Sequence, residues 1–265
     1  MKMDHKHYTF EPSQEELHAV FEMKYGKKDN LGWGPAMRLR HQYYNPDDWY
    51  ESLLSKLVTE KTRWLEIGCG RHFFPSNPEL AKMLSNRCAA LVGLDPDSTI
   101  FENPYVHEKI QGFIQDYQPA QKFDLVTLRM VAEHITDPET TLRAMAELTQ
   151  PGSLIVIYTI FKWSPIPLVT YSTPFFLHHP LKRFFWNTES KDTFPVAYKM
   201  NTRSDLKSMF ERNSFREVYF SYLDDCRTLA KFKVTLWAEL VSRKVFRLLN
   251  CPYPELCLLG VYERK

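Results

Sequence analysis

The chain has 265 residues, a formal net charge of +2, 44% hydrophobic residues and 25% charged residues. This is ordinary for a soluble protein of one α/β domain with an insertion, and it lacks the basic excess that nucleic-acid binding calls for. The five cysteines (Cys69, Cys88, Cys226, Cys251, Cys257) form no Cys-x-x-Cys pair and leave one over, so neither a metal site nor a disulfide framework is expected.

In chain order, Met1-Lys2-Met3-Asp4-His5-Lys6-His7 is charged and has no apolar signal core. No uncharged run approaches membrane-spanning length, so a cytoplasmic, reducing location is expected. Ser13 and Glu16 fit a capping box at the start of a helix, and Gly26 to Pro35 reads as a glycine-broken loop. A helix from about Asp47 to Glu60 shows Trp49, Leu53, Leu54 and Leu57 on one face.

The stretch Trp64-Leu65-Glu66-Ile67-Gly68-Cys69-Gly70 then reads as a buried strand ending in a glycine loop, and Leu91-Val92-Gly93-Leu94-Asp95 as a second strand ending in an acid. Gly68 and Gly70 allow a sharp turn and close approach of a ligand to the backbone. Asp95 is placed to accept hydrogen bonds from two ribose hydroxyls, the arrangement for a nucleoside at the carboxyl edge of an open sheet. A dinucleotide loop would need glycine where Phe73 stands, and Glu66 would repel a phosphate. Glu66 suits a ligand with a cationic group, or is a solvated acid at a strand end. Cys69 reads as a small apolar filler.

Strands recur near 64–67, 89–94, 109–114, 123–129 and 153–159, with helices near 78–87 and 138–149. The alternation predicts a parallel, doubly wound sheet. Asn77-Pro78 and Asp137-Pro138 are helix starts by cap and N1 proline, which leaves Glu133 and His134 in a loop at the ligand-facing edge. Imidazole titrates near neutrality, so His134 is the first candidate for a general base; the alternative is packing with a bond to a backbone carbonyl. Glu133 either holds a substrate amine or hydroxyl or faces solvent. Arg129, a costly lone charge at the end of a buried strand, either binds a substrate carboxylate or pairs with an internal acid such as Glu133.

Residues 161–200 are aromatic, proline-punctuated and basic, too long for an ordinary connection. They read as a lid over a substrate, with His178 as a substrate contact, or as a packing or dimer insertion. A helix capped at Thr202 or Ser204, a strand near 215–222, a long helix near 229–249 and a last strand at Leu258 to Tyr262 close the chain. Lys231 to Trp237 mixes apolar and basic residues as interfacial helices do, although core packing of a long helix explains it more simply.

Leu65-Glu66-Ile67-Gly68-Cys69-Gly70 resembles motif I of the class I S-adenosylmethionine-dependent methyltransferases, and Gly93-Leu94-Asp95 the acidic end of their second strand. Phe123-Asp124-Leu125-Val126 resembles their fourth strand. Leu148-Thr149-Gln150-Pro151-Gly152-Ser153-Leu154 resembles the turn into their fifth, with Ser153 replacing a second glycine. The region from Thr127 to His134 looks most like methyltransferases of bacterial saccharide and natural-product pathways.

The resemblance implies a Rossmann-like, seven-stranded α/β sheet with an antiparallel last strand and an inserted lid after strand five. It divides the chain into a helical cap (1–48), a donor-binding core (49–160), the lid (161–200) and the remainder of the fold (201–265). It implies S-adenosylmethionine held by Glu66, Gly68, Gly70 and Asp95, with Asp116 accepting from the adenine amino group and the Tyr117 amide meeting a ring nitrogen. Tyr43 and Tyr44 either close over the donor and substrate or pack in the core. The expected activity is methyl transfer to a small-molecule hydroxyl or amine. Its alternatives are a membrane-associated enzyme acting on a lipid-linked saccharide and a non-catalytic nucleoside-binding relative. The number of subunits is left open.

Overall fold

Polar caps write most of the helix starts. Ser13 and Glu16 close a reciprocal capping box on α1 (Gln14–Tyr25), and at the start of α3 (Pro46–Leu57) the Asp48 carboxylate accepts from the Asn45 amide. Asn77, Asp137 and Thr202 cap α4 (Pro78–Arg87), α5 (Pro138–Leu148) and α6 (Arg203–Arg212) through their side chains. The computed structural model describes residues 9–164, 195–226, 232–251 and 253–265.

The glycine-broken loop expected from Gly26 to Pro35 ends sooner than the sequence suggests. Helix α2 (Trp33–Arg40) starts at Trp33 with Gly32 as its cap, because a proline in the first turn has no helical hydrogen bond to lose. The boundary drawn at residue 48 falls inside α3, so the helical cap runs on into that helix.

The strands are β1 (Arg63–Ile67), β2 (Ala90–Asp95), β3 (Glu108–Gln111), β4 (Phe123–Arg129), β5 (Thr149–Ile160), β6 (Phe215–Asp224) and β7 (Glu255–Arg264). They form one sheet in the order β3-β2-β1-β4-β5-β7-β6. Pairings from β3 to β5 are parallel, and β7 lies antiparallel between β5 and β6. This is the Rossmann-like sheet with an antiparallel last strand that the family resemblance implies.

Because side chains alternate along a strand, the sheet has two buried faces. Trp64, Leu91, Leu125 and Val156 pack under α1, α3 and α4, while Leu65, Val126, Leu128, Ile155 and Ile157 pack under α5 and α6. Gly152, at φ 90°, turns the chain into the body of β5. Ser153 supports that turn, donating to the Phe123 carbonyl at 2.8 Å and accepting from the Gln150 amide at 3.1 Å.

Candidate active site

The carboxyl ends of β1, β2 and β4 meet at one edge of the sheet. Gly68 takes φ 69°, and a Cβ there would lie 2.2 Å from Val131 Cγ2, so the turn after β1 tolerates no side chain against the turn after β4. Gly70 takes φ 41°, and its amide donates to Asp95 Oδ2 at 2.9 Å. The other oxygen of Asp95 accepts from the Asp97 amide at 2.8 Å. Two backbone donors thus fix the carboxylate while leaving lone pairs on both oxygens, as a diol-binding acid requires.

A residue that sequence reasoning passed over holds the loop from behind. Asn103 is fully buried; its Nδ2 donates to the Gly70 carbonyl at 3.0 Å and its Oδ1 accepts from the Tyr105 amide. Cys69 is buried too, and a Cβ on Gly93 would lie 2.7 Å from its sulfur, so the two small residues interlock. Burial, with Glu66 and Asp95 nearby, pushes the Cys69 thiol well up, in keeping with an inert filler. Phe73, where a dinucleotide loop wants glycine, is buried edge-on against Trp64 at 5.2 Å.

Glu66 is neither solvated nor at the surface. It is fully buried on the α3 side of β1, beside Thr127 of β4. The Thr127 hydroxyl donates to Glu66 Oε2, while Oε1 has no hydrogen-bond partner among the described residues. Burial pushes the Glu66 carboxyl up to about 8, against the opposing pull of the Thr127 bond and the Arg129 guanidinium. An orphaned acid oxygen behind the glycine loop fits a ligand that brings a hydrogen-bond donor or positive charge.

Arg129 does not pair with Glu133. Its Nη2 meets Asp47 Oδ1 of α3 at 2.8 Å, its Nε has no partner among the described residues, and its guanidinium lies 6.0 Å from the Tyr158 ring centroid. Desolvation pulls its pKa down, but Asp47, Tyr158 and Tyr50 together raise it. Glu133, expected to hold substrate or to face solvent, is buried and accepts from the Thr159 hydroxyl at 2.7 Å; burial raises its pKa. Its carbonyl accepts from the amides of Ala197 and Tyr198, which ties the returning chain to this edge.

His134 lies in the same short turn, with Nδ1 3.0 Å from the Pro195 carbonyl. Protonated on Nδ1, the ring donates to that carbonyl and carries its lone pair on Nε2. Before the turn, Met130 takes φ 52°, a conformation uncommon outside glycine and frequent at functional turns, and its amide donates to the Tyr158 carbonyl at 2.8 Å.

Of the other expected site residues, the two tyrosines of the cap are taken up in the core. Tyr43 is fully buried among Cys226, Leu236 and Leu240; its hydroxyl accepts from the Cys226 amide at 2.8 Å and donates to the Asp224 carbonyl. That makes it a packing residue rather than the expected substrate contact, because both roles of its hydroxyl are taken up internally. Tyr44 packs with Leu17 and Phe21. Asp116 is exposed at the end of a short 3-10 turn, and the Tyr117 amide, expected to meet a ring nitrogen, donates within that turn to the Ile114 carbonyl at 3.3 Å. His178 and most of the expected lid fall outside the described residues.

The cap contains a buried ionic cluster that the sequence did not reveal. Lys24 of α1 contacts Asp48 at 2.8 Å and Glu51 at 2.9 Å on α3, all three side chains being buried. Asn77, the α4 cap, donates to Glu51 at 2.9 Å. Burial lifts the Glu51 carboxyl to about 7 in spite of Lys24.

Glu51 and Glu66 thus have folded pKa values above that of an unfolded glutamate, so the folded protein holds protons that the unfolded chain has released. Their contribution to stability is complete below about pH 4.3, the unfolded value, and is lost as pH rises through about 7 and 8. The thermal midpoint of the ligand-free protein should therefore fall between about pH 6 and about pH 8.5, and Glu66→Gln should flatten the decline. A midpoint that rises over this interval would contradict the assignment.

A sheet in this order, with a glycine turn after β1 and a fixed acid after β2, is the fold of the class I methyltransferases, whose methyl donor is S-adenosylmethionine. The chain belongs to the methyltransferase domain family, whose model matches residues 38–218. The ubiquinone biosynthesis O-methyltransferase of Rhodopseudomonas palustris (strain BisB18) is 29% identical over 106 residues, 37% of this chain and 39% of that protein. A protein of the same name from Coxiella burnetii (strain Dugway 5J108-111) is 22% identical over 158 residues, 56% of this chain and 65% of that one. The chain spans about two fifths of the length of the first of these curated relatives.

Among solved structures, a chain in the complex between the Haloferax volcanii Trm112 methyltransferase activator and a methyltransferase superposes with a TM-score of 0.51 at 13% identity, covering 87% of this chain and 92% of that one. Geranyl diphosphate C-methyltransferase from Streptomyces coelicolor A3(2) does so with 0.50 at 11% identity, covering 82% and 77%. At these identities the likeness is one of fold.

Proposed function

We propose that this chain transfers the methyl group of S-adenosylmethionine to a hydroxyl of a small biosynthetic molecule, with an amine as the alternative acceptor. The observation that carries the reading is the Asp95 carboxylate, fixed by the Gly70 and Asp97 amides with lone pairs to spare. In this reading Asp95 holds the ribose, Gly68 and Gly70 let the donor lie against the backbone, and Glu66 faces its cationic end. Asp116 and Tyr117 flank the adenine from the turn that follows β3. When bound, the donor supplies a methyl group on a positively charged sulfur.

The protein's own part is orientation, exclusion of water and removal of one proton, and alignment alone is worth several kcal/mol. His134, its ring oriented by the Pro195 carbonyl, takes the proton of the acceptor hydroxyl on Nε2. Glu133, anchored to Thr159 and to the returning chain, holds that turn in place and is a candidate contact for the acceptor. Arg129, oriented by Asp47, is a substrate-binding candidate for an acceptor carboxylate. His178 and residues 161–200 belong to the reading as the covering segment, and residues 1–48 as its helical cap.

A hydroxyl is preferred because an amine can lose its proton before reaction and has less need of His134, and because the named relatives are O-methyltransferases. Incubation with S-adenosylmethionine and a panel of phenols, saccharides and amines should release S-adenosylhomocysteine with hydroxyl acceptors. Turnover confined to amines would overturn the hydroxyl assignment, and tight donor binding without turnover across the panel would favour a non-catalytic relative.

A further inference from the structure

Helix α7 (Lys233–Leu248) carries two apolar faces, and the described residues cover only one of them. Leu236 and Leu240 pack against Tyr43 and Cys226, and Arg243 on the same side pairs with Asp224. Core packing therefore accounts for this half of the helix only. On the opposite side Val234, Trp237, Val245 and Leu248, with Leu249 just beyond, are 75%, 49%, 45%, 75% and 68% exposed. Their spacing of three, eight and three residues keeps the first four on one stripe of a 3.6-residue helix.

The charge around this stripe has one sign. Lys233, Lys244 and Arg247 are exposed, whereas Glu239, the single acid of α7, is buried on the other side. Helix α2 packs alongside and extends the surface with Trp33, 38% exposed, whose ring lies 5.8 Å from Lys233 Nζ. The same positive field reaches His41 at the end of α2: burial, Lys244 and Arg40 together lower its pKa.

From this face we infer that α7 is a membrane-surface helix that seats the protein on an anionic lipid bilayer. An apolar stripe with tryptophans and a cationic border is what lies stably in the headgroup region, where the apolar side chains leave water and the lysines meet lipid phosphates. A second copy of the chain is a poorer occupant, since pairing through the stripe would bring Lys233, Lys244 and Arg247 towards their own like. No described helix is long and apolar enough to cross a membrane, so the contact proposed is one of lying on the surface. The inference stands independently of the methyl-transfer reading.

Flotation of the full-length protein with vesicles tests it. Vesicles of phosphatidylcholine with about 30 mol% phosphatidylglycerol should carry the protein, pure phosphatidylcholine should carry much less, and about 0.5 M salt should weaken the binding. Val234→Asp combined with Leu248→Asp should reduce partitioning at least about tenfold, with the thermal midpoint unchanged. Lys233→Glu with Lys244→Glu, which leaves the apolar stripe intact, should also reduce it and covers the case in which the first variant fails to fold. Absence of flotation with anionic vesicles at low salt would overturn the inference. So would a wild-type dimer in sedimentation velocity that either pair of substitutions dissolves, since the face would then belong to a second copy.

Discussion

His134→Gln should lower turnover by about 10²–10⁴-fold while donor affinity stays unchanged, the range for loss of one positioned general base. The basis is position: His134 follows β4 at the carboxyl edge, and the Pro195 carbonyl fixes the tautomer that bears a lone pair on Nε2. Glutamine keeps a donor for that carbonyl but cannot accept a proton at the pH of the reaction. Steady-state kinetics together with calorimetric titration of S-adenosylhomocysteine check both halves. A full rate, or a collapse of donor affinity in a folded variant, would make His134 structural and leave the reaction to orientation alone.

Lys24→Met should destabilise the protein by about 3–5 kcal/mol, the cost of stripping one partner from a buried ionic cluster. Without the ammonium group, Asp48 and Glu51 remain buried with, among the described residues, only the Asn45 amide and the Asn77 side chain as donors. The loss should be partly recovered in Lys24→Met/Glu51→Gln, because an amide at 51 needs neither a buried charge nor a proton taken up on folding. Denaturant unfolding of the two variants and the parent measures this. A loss below about 1 kcal/mol would mean that water reaches the cluster and screens it. The cluster ties α1 to α3 and, through Asn77, to the first turn of α4 behind the glycine loop, so the variant should also hold the donor less firmly.

What could be read from the sequence was local. Caps at Ser13, Asn77 and Asp137, the strand ending at Gly68 and the acid at Asp95 are written in neighbouring residues; their alternation gives a parallel, doubly wound sheet, and the antiparallel last strand came from the family resemblance. The glycine and proline of Gly32-Trp33-Gly34-Pro35 looked like loop punctuation, yet a cap glycine and a first-turn proline suit the start of α2. What stayed hidden depends on contacts between distant parts of the chain. Arg129 finds Asp47 across 82 positions, Asn103 reaches back to Gly70 across 33, and Lys24 meets Glu51 across 27.

No periodicity marks such partners, although a lysine inside the first helix and two acids on the inner side of the third were a signal available to a reader looking for buried pairs. Burial also changed the meaning of residues correctly singled out. Glu66 sat at a predicted strand end and Glu133 in the predicted loop after the fourth strand, but the α3 side of the sheet and the returning segment 195–201 cover them. Trp237 shows the converse, an aromatic on a long helix that the core leaves outside.

The claim on which the rest stands is that the edge formed by Gly68, Gly70 and Asp95 binds the nucleoside of S-adenosylmethionine. Calorimetric titration of S-adenosylhomocysteine into the wild-type protein and into Asp95→Ala tests it most directly. One molecule should bind per wild-type chain. The variant, folded but with a lower thermal midpoint because the Gly70 and Asp97 amides lose their acceptor, should bind more weakly by about 1.5–3 kcal/mol, the worth of a charged hydrogen bond. Equal affinities, or no binding by the wild-type protein, would contradict the claim.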